Sequence, residues 1–184
     1  NSSVFKNITN LNQGASILAY HVEDPQRYGV VDFDENDLAI NLEEKPKHPK
    51  SNWAVTGLYF YDNNAAKYAK TLKPSNRGEI EITDLNRIYL ENNQLTVKRL
   101  ERGFTWLDTG TPESLLDAAQ FVQTIQHRQG LKIACIEEIC YIKNLINSQQ
   151  LEKLAKKYKP NNEYGKYLRK VLDNSGPSNL KQQK

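Results

Sequence analysis

The 184-residue chain contains no methionine and only two cysteines. Cys135 and Cys140 have no histidine near them in sequence. Their spacing is not that of a zinc site, and two thiols make no disulfide framework. Free thiols in a reducing cytoplasm are the simplest reading. No apolar run approaches the roughly 18 residues of a membrane span, and no signal peptide is visible. Position 1 is asparagine, so the chain reads as one that starts inside something longer, through truncation or processing. A dominant charge is lacking as well, since 25 Lys and Arg face 22 Asp and Glu for a net +3. The two signs are interleaved and no basic stripe with stacking aromatics occurs, so nucleic-acid binding finds little support.

What is present describes a globular domain with a real core, or one domain plus an appendage. The mean hydropathy of −0.73 is polar for such a chain, and the polar excess lies in its ends and loops. The ten tyrosines fall mostly in apolar-periodic segments, where core or rim packing is expected. Asn1 to Asn12 has the spacing of a short helix. Ser16–Val22, Tyr28–Phe33 and Leu38–Leu42 read as strands, the last two joined into a hairpin by Asp34-Glu35-Asn36-Asp37. Trp53–Tyr61 is almost wholly apolar, as for a central strand covered on both faces. Asp62 or Asn63 can cap a helix through Ala65 and Ala69. Ile82, Leu85, Ile88 and Tyr89 recur at helical spacing, and Leu95–Leu100 alternates as a strand.

Apolar character resumes at Thr105–Asp108, followed by an N-cap at Thr111 with Pro112 at the first helical position. Leu115, Ala118, Ala119, Val122 and Ile125 share a helix face that Gly130 closes. A short strand over Leu131–Ile136, small helices from Glu137 and Ser148, and a helix over Tyr164–Leu172 complete the pattern. Residues 1–172 thus form one α/β unit with a helical C-terminal region. Residues 173–184 read as a disordered tail.

Three segments carry chemistry. Glu43-Glu44-Lys45-Pro46 puts carboxylates and an ammonium at a strand end, where Glu can accept hydroxyl hydrogen bonds and Lys can meet a phosphate. Gly57, inside Trp53–Tyr61, suggests close approach of a ligand or another backbone. In Trp106-Leu107-Asp108-Thr109-Gly110-Thr111 an Asp ends a strand before a capped helix. Ligands of open α/β sheets gather at such strand ends, and Asp108 suits a metal or a phosphate-bearing substrate. His21, His48 and His127 have no catalytic partner in sequence and read as surface or loop residues.

In order and spacing these segments resemble the C-terminal two-thirds of the bacterial glucose-1-phosphate thymidylyltransferases. Further stretches carry the likeness: Arg27-Tyr28-Gly29-Val30-Val31, Lys50-Ser51-Asn52-Trp53-Ala54-Val55-Thr56-Gly57, Arg77-Gly78-Glu79-Ile80-Glu81-Ile82-Thr83-Asp84 and Arg128-Gln129-Gly130-Leu131-Lys132. It runs from about Gly14 to Leu172. The resemblance implies a mixed, mostly parallel, Rossmann-like sheet. It implies transfer of dTMP from dTTP to glucose 1-phosphate with Mg²⁺, giving dTDP-glucose and pyrophosphate on the route to dTDP-rhamnose. It further implies a cytoplasmic homotetramer. By position, the Gly29 backbone, Glu44, Val55 and Tyr59 would hold the glucosyl ring. Lys45 and Arg77 would hold the sugar phosphate, and Asp108 would be one of two aspartates on Mg²⁺. Arg102, Ile133 and Glu138 fall at the positions of a product-feedback site. Glu101 and Ile142 depart there from the usual Gly and Arg, and an added acid with a lost base disfavours a diphosphate.

The nine glycines never form the Gly-rich loop that cradles a triphosphate in that family. The expectation is therefore a chain that carries the sugar-phosphate half of the site, lacks the nucleotide half, and does not catalyse transfer alone. Two alternatives stand beside it. One is a non-catalytic remnant acting as a sugar-phosphate binding or oligomerisation module. The other is a related enzyme using UTP.

Overall fold

A computed structural model describes residues 13–174. The helix expected over residues 1–12 and the tail from residue 175 onward lie outside the described residues. The chain divides into two compact units, Asn1–Trp106 and Leu107–Lys184.

The first unit is a five-stranded sheet in the order β3-β2-β4-β1-β5, formed by β1 (Ala15–His21), β2 (Gly29–Phe33), β3 (Ala39–Glu44), β4 (Trp53–Tyr61) and β5 (Leu95–Arg99). It is mixed as expected, but antiparallel pairing dominates. β1–β4, β2–β3 and β2–β4 are antiparallel and only β1–β5 is parallel. Strand order explains this correction. β1 and β2 run the same way but β4 lies between them, antiparallel to both, and only β5, which follows the helices α1 (Ala65–Ala69) and α2 (Ile82–Glu91), settles beside a strand of its own direction, β1. The β2–β3 turn is built as its residues suggest. The Asp34 carboxylate accepts from the N–H groups of Asn36 and Leu38 at 2.9 and 2.8 Å, and Asp37 takes a φ of 62°.

The sheet curls until its edges meet. Arg99 of β5 pairs with Asp37 at 2.9 Å and lies 3.9 Å from the centre of the Phe33 ring. One face buries Ile17, Ala19, Val31, Leu42 and Val55. A second cluster joins Ala15 to Leu85 and Tyr89 of α2. β4 is central but not covered throughout: Ala54, Val55 and Thr56 are buried while Gly57 and Leu58 are exposed. The reason is a bulge. Between the pairs Ile17↔Tyr59 and Ala19↔Val55, β4 carries two residues more than β1. Gly57 sits in that bulge with open space where a Cβ would stand, so no other backbone crowds it. The Thr56 hydroxyl donates to the Leu18 carbonyl at 3.3 Å across the irregularity.

The buried face of α2 also differs from its apolar periodicity. Ile82 is exposed, whereas Thr83 and Asn86 are buried beside Leu85 and Tyr89. Two polar side chains thus occupy core positions, which burial allows only with hydrogen-bond partners. All ten tyrosines are buried or half-buried, as expected.

The second unit is helical. α3 (Pro112–Gln129) is capped by Thr111 with a reciprocal Ser114 bond and ends at Gly130 with φ 64°. α4 (Ile136–Ile142), α5 (Ser148–Ala155) and α6 (Glu163–Asn174) enclose Cys135, Leu151, Leu168 and Val171. Leu151 and Leu168 are fully buried, each contributing about 2–3 kcal/mol of apolar burial. Asp173 and Asn174 complete α6 rather than starting a tail. No strand forms over 131–136, because Ala134 turns to φ 54° and Cys135 becomes the N-cap of α4. Tyr164 and Tyr167 of α6 donate to Glu137 and Glu138 of α4, each at 2.6 Å.

Candidate functional site

β2 begins where β3 ends, with Gly29 directly opposite Glu44. The last backbone bond of the ladder runs from Lys45 N–H to the Tyr28 carbonyl at 2.9 Å. Beyond it Lys45 takes a φ of 45°, the buried Pro46 stops the strand, and the exposed Lys45 side chain stands at the turn. Such left-handed backbone is uncommon for a lysine and is held by the flanking structure. Trp106 packs edge-on against Tyr28 with ring centres 5.1 Å apart, beside the same strand end.

Four expected site residues converge here. A Cβ placed on Gly29 would stand 2.9 Å from the Thr83 hydroxyl, 3.1 Å from Glu44 Oε2 and 3.9 Å from Val55 Cβ. Gly29, having no side chain, therefore lets a carboxylate, a hydroxyl and an apolar side chain close around it as a tight cradle with no room even for a methyl. Thr83 donates to Glu44 Oε2. Tyr59, on the strand that carries Val55, feels the Glu44 charge. Burial first, and then that carboxylate, raise its phenol above the ordinary value.

Arg77 reaches the same cluster. Its guanidinium lies 3.8 Å from Glu44, 3.1 Å from Glu79 and 3.4 Å from Glu81. Glu81 is buried, and it also accepts from the Ser75 hydroxyl at 3.0 Å. Three carboxylates around one guanidinium give a polar rim rich in acceptors for ligand hydroxyls. Any anion that binds Arg77 competes with them.

Sequence reasoning singled out Gly29, Glu44, Lys45, Val55, Tyr59 and Arg77, but missed Thr83 and Glu81. Both lie in the Arg77–Asp84 stretch. The signal available was a polar residue at Thr83 in helical phase with Asn86, which the apolar pattern passed over.

Asp108 belongs to the second unit. Residues 105–108 form no strand, so Asp108 does not end one. Its carboxylate instead accepts from the Gly110 N–H at 3.2 Å in the turn before α3. The turn residues Gly110 and Thr111 favour that local bond over a ladder. Among the described residues no group of three or more His, Cys, Asp or Glu side chains gathers as a metal site. The feedback candidates are divided between the units. Arg102 is exposed in the first. In the second, Ile133 is 46% exposed and the Glu138 carboxylate is engaged by Tyr167. His21, His48 and His127 are all exposed.

The chain was compared with known proteins. Residues 2–125 match the nucleotidyl transferase family. A glucose-1-phosphate thymidylyltransferase of Neisseria meningitidis is 57% identical over 86% of this chain and 55% of its own length. One from Xanthomonas campestris is 55% identical over 85% of this chain and 52% of its own length. A Bacillus anthracis structure described as a glucose-1-phosphate thymidylyltransferase in complex with a sucrose aligns with a TM-score of 0.55 at 44% identity. It covers 65% of this chain and 46% of that one. The chain spans about half the length of the relatives it matches. With the family match running through the whole sheet and the strand-end cluster, the chain belongs to the nucleotidyl transferase family.

Proposed function

We propose that this chain supplies the sugar-phosphate half of a site that joins glucose 1-phosphate to dTTP, releasing pyrophosphate. The observation that carries the reading is the cradle at Gly29, where Glu44, Thr83 and Val55 converge. In this reading the half-buried Glu44 carboxylate and the bare Gly29 backbone bond a ring's hydroxyls from the edge of the cluster. The chemistry is attack by the sugar phosphate oxygen on the nucleotide α-phosphorus, in which two anions must be brought together and aligned. In the proposal Glu44 accepts ring hydroxyls and Tyr59 forms a wall. Lys45 offers a mobile point charge to the phosphate, and Arg77 is drawn from its carboxylates to grip it as a fork.

Mg²⁺ is proposed to take Asp108 as one hard oxygen ligand. The described residues alone do not form its site, and no step here is routed through it. The nucleotide is assigned to groups outside those described.

The 184-residue chain is expected to bind glucose 1-phosphate saturably by titration calorimetry, more tightly than glucose or inorganic phosphate. It is expected to release no pyrophosphate from dTTP. Binding no tighter than that of inorganic phosphate would remove the sugar reading, and turnover would remove the division of labour.

Self-association is proposed through the second unit. Ile133, Ile136, Ile139, Ile142 and Leu145 recur every third residue and are 46–72% exposed, an apolar stripe of the kind that oligomers cover. Sedimentation should show an assembly that Ile139→Glu dissociates. A monomer at all concentrations would contradict it.

A further inference from the structure

Behind the candidate site three tyrosine rings lie in a row. Tyr59 stacks on Tyr61 with centroids 6.0 Å apart and planes 11° from parallel, and Tyr61 stacks on Tyr89 at 5.6 Å and 27°. The far end of the row is fixed, since Tyr89 is fully buried and donates to Asp62 at 2.7 Å. The middle ring is fixed by one directional bond, from its hydroxyl to Asn86 Oδ1 at 2.5 Å. The end at Tyr59 is the one that meets the Glu44 cluster.

Asn86 is an odd choice for this place. It is fully buried on α2, and its Nδ2 has no acceptor among the described residues. An unpaired buried amide donor weakens a fold, so packing alone would favour an apolar side chain of similar size. Asn86 lies one helical turn from Thr83, the residue that donates to Glu44. One face of α2 thus touches the cradle at two points: directly at Thr83, and through Tyr61 at Asn86.

We propose that Asn86 and Tyr61 are positioning residues that set the plane of the Tyr59 ring as a wall of the ligand cradle. The Tyr61 hydroxyl, held by Asn86, fixes the rotation of the middle ring. Stacking passes that orientation to Tyr59, because near-parallel offset rings lose contact when one of them turns. The ligand assignment rests on the sugar-phosphate reading above, whereas the control of Tyr59 by Asn86 does not.

The test places a single 3-fluorotyrosine at position 59 of the 184-residue chain and follows its fluorine resonance. Two variants are made, Tyr61→Phe and the double variant Tyr61→Phe with Asn86→Leu. Both keep the stacked ring, and the double variant removes both polar partners together, which leaves no orphan from the pair and should preserve the urea midpoint. In both, the fluorine resonance is expected to shift or broaden, and glucose 1-phosphate binding to weaken about 5–10-fold. A merely structural role would change the urea midpoint and leave the resonance in place. An unchanged resonance in both variants overturns the proposal, and so does a changed resonance with unchanged affinity for the sugar phosphate. If the unaltered chain binds no glucose 1-phosphate while the resonance still moves, the positioning stands and the sugar reading falls.

Discussion

Gly29→Ala is expected to weaken glucose 1-phosphate binding by about 10–100-fold and to lower stability by about 1 kcal/mol. The new methyl carbon would stand 2.9 Å from the Thr83 hydroxyl and 3.1 Å from Glu44 Oε2. Thr83 is buried, β-branched and bonded to Glu44, so one of the two side chains must shift and their mutual bond is strained or lost. Either shift disturbs the geometry that presents the carboxylate. The loss corresponds to one or two hydrogen bonds to a charged acceptor, about 1.5–3 kcal/mol each. Stability should fall modestly, because the strained Thr83–Glu44 bond outweighs the backbone entropy that alanine saves in a strand. Titration calorimetry with a urea unfolding curve on the same sample checks both halves. Unchanged affinity would show that the ligand does not use this cradle.

Asp62→Ala is expected to cost about 2–4 kcal/mol of stability. The carboxylate ties three elements together. Oδ2 accepts from the Gly14 N–H at 2.8 Å, just ahead of β1. Oδ1 accepts from Tyr89 of α2 at 2.7 Å and from the Asn64 N–H before α1 at 2.9 Å. Removing it orphans a fully buried phenol as well as backbone groups. The same bonds, that of Gly14 first, hold the Asp62 carboxyl down to about 2 against an ordinary 3.8. Because the folded value lies below the unfolded one, its contribution is complete above pH ~4 and is lost as pH falls toward ~2. Urea midpoints between pH 7 and pH 2 should therefore converge for wild type and Asp62→Ala at the acid end. A constant gap across that range would mean that the carboxylate is not the tie.

Asp62 also shows how far residue types carry a reading. As an Asp beyond a strand it reads, with Asn63, as a helix cap, but the N-cap of α1 is Asn64 and Asp62 instead accepts from the Asn64 N–H in the turn before it. Its long-range bonds to Gly14 and Tyr89 had no trace in local pattern. The β2–β3 hairpin, the stop at Pro46, the Thr111 cap and the Gly130 close were legible because each depends on neighbours within a few residues. Sheet direction was not, since pairing follows from which strands come to lie side by side. Nor was the strand over 131–136 excluded by its composition, although it had no neighbour to pair with. Gly57 was marked as unusual, but a bulge and a close approach leave the same glycine in the sequence.

The strand-end chemistry of Glu44, Lys45 and Pro46 is local, and it was written in four consecutive residues, Glu43 to Pro46. Its completion is not local. Gly29, Val55 and Thr83 come from two strands and a helix, and they reach Glu44 because antiparallel register sets Gly29 opposite it and packing turns Thr83 inward against an apolar expectation. Arg77, read as a phosphate ligand, meets Glu79 and Glu81 of its own stretch, and packing adds Glu44. Short-range hydrogen bonding and φ preference specify which groups stand at a strand end. Burial and register, which sum over the whole chain, specify what those groups face.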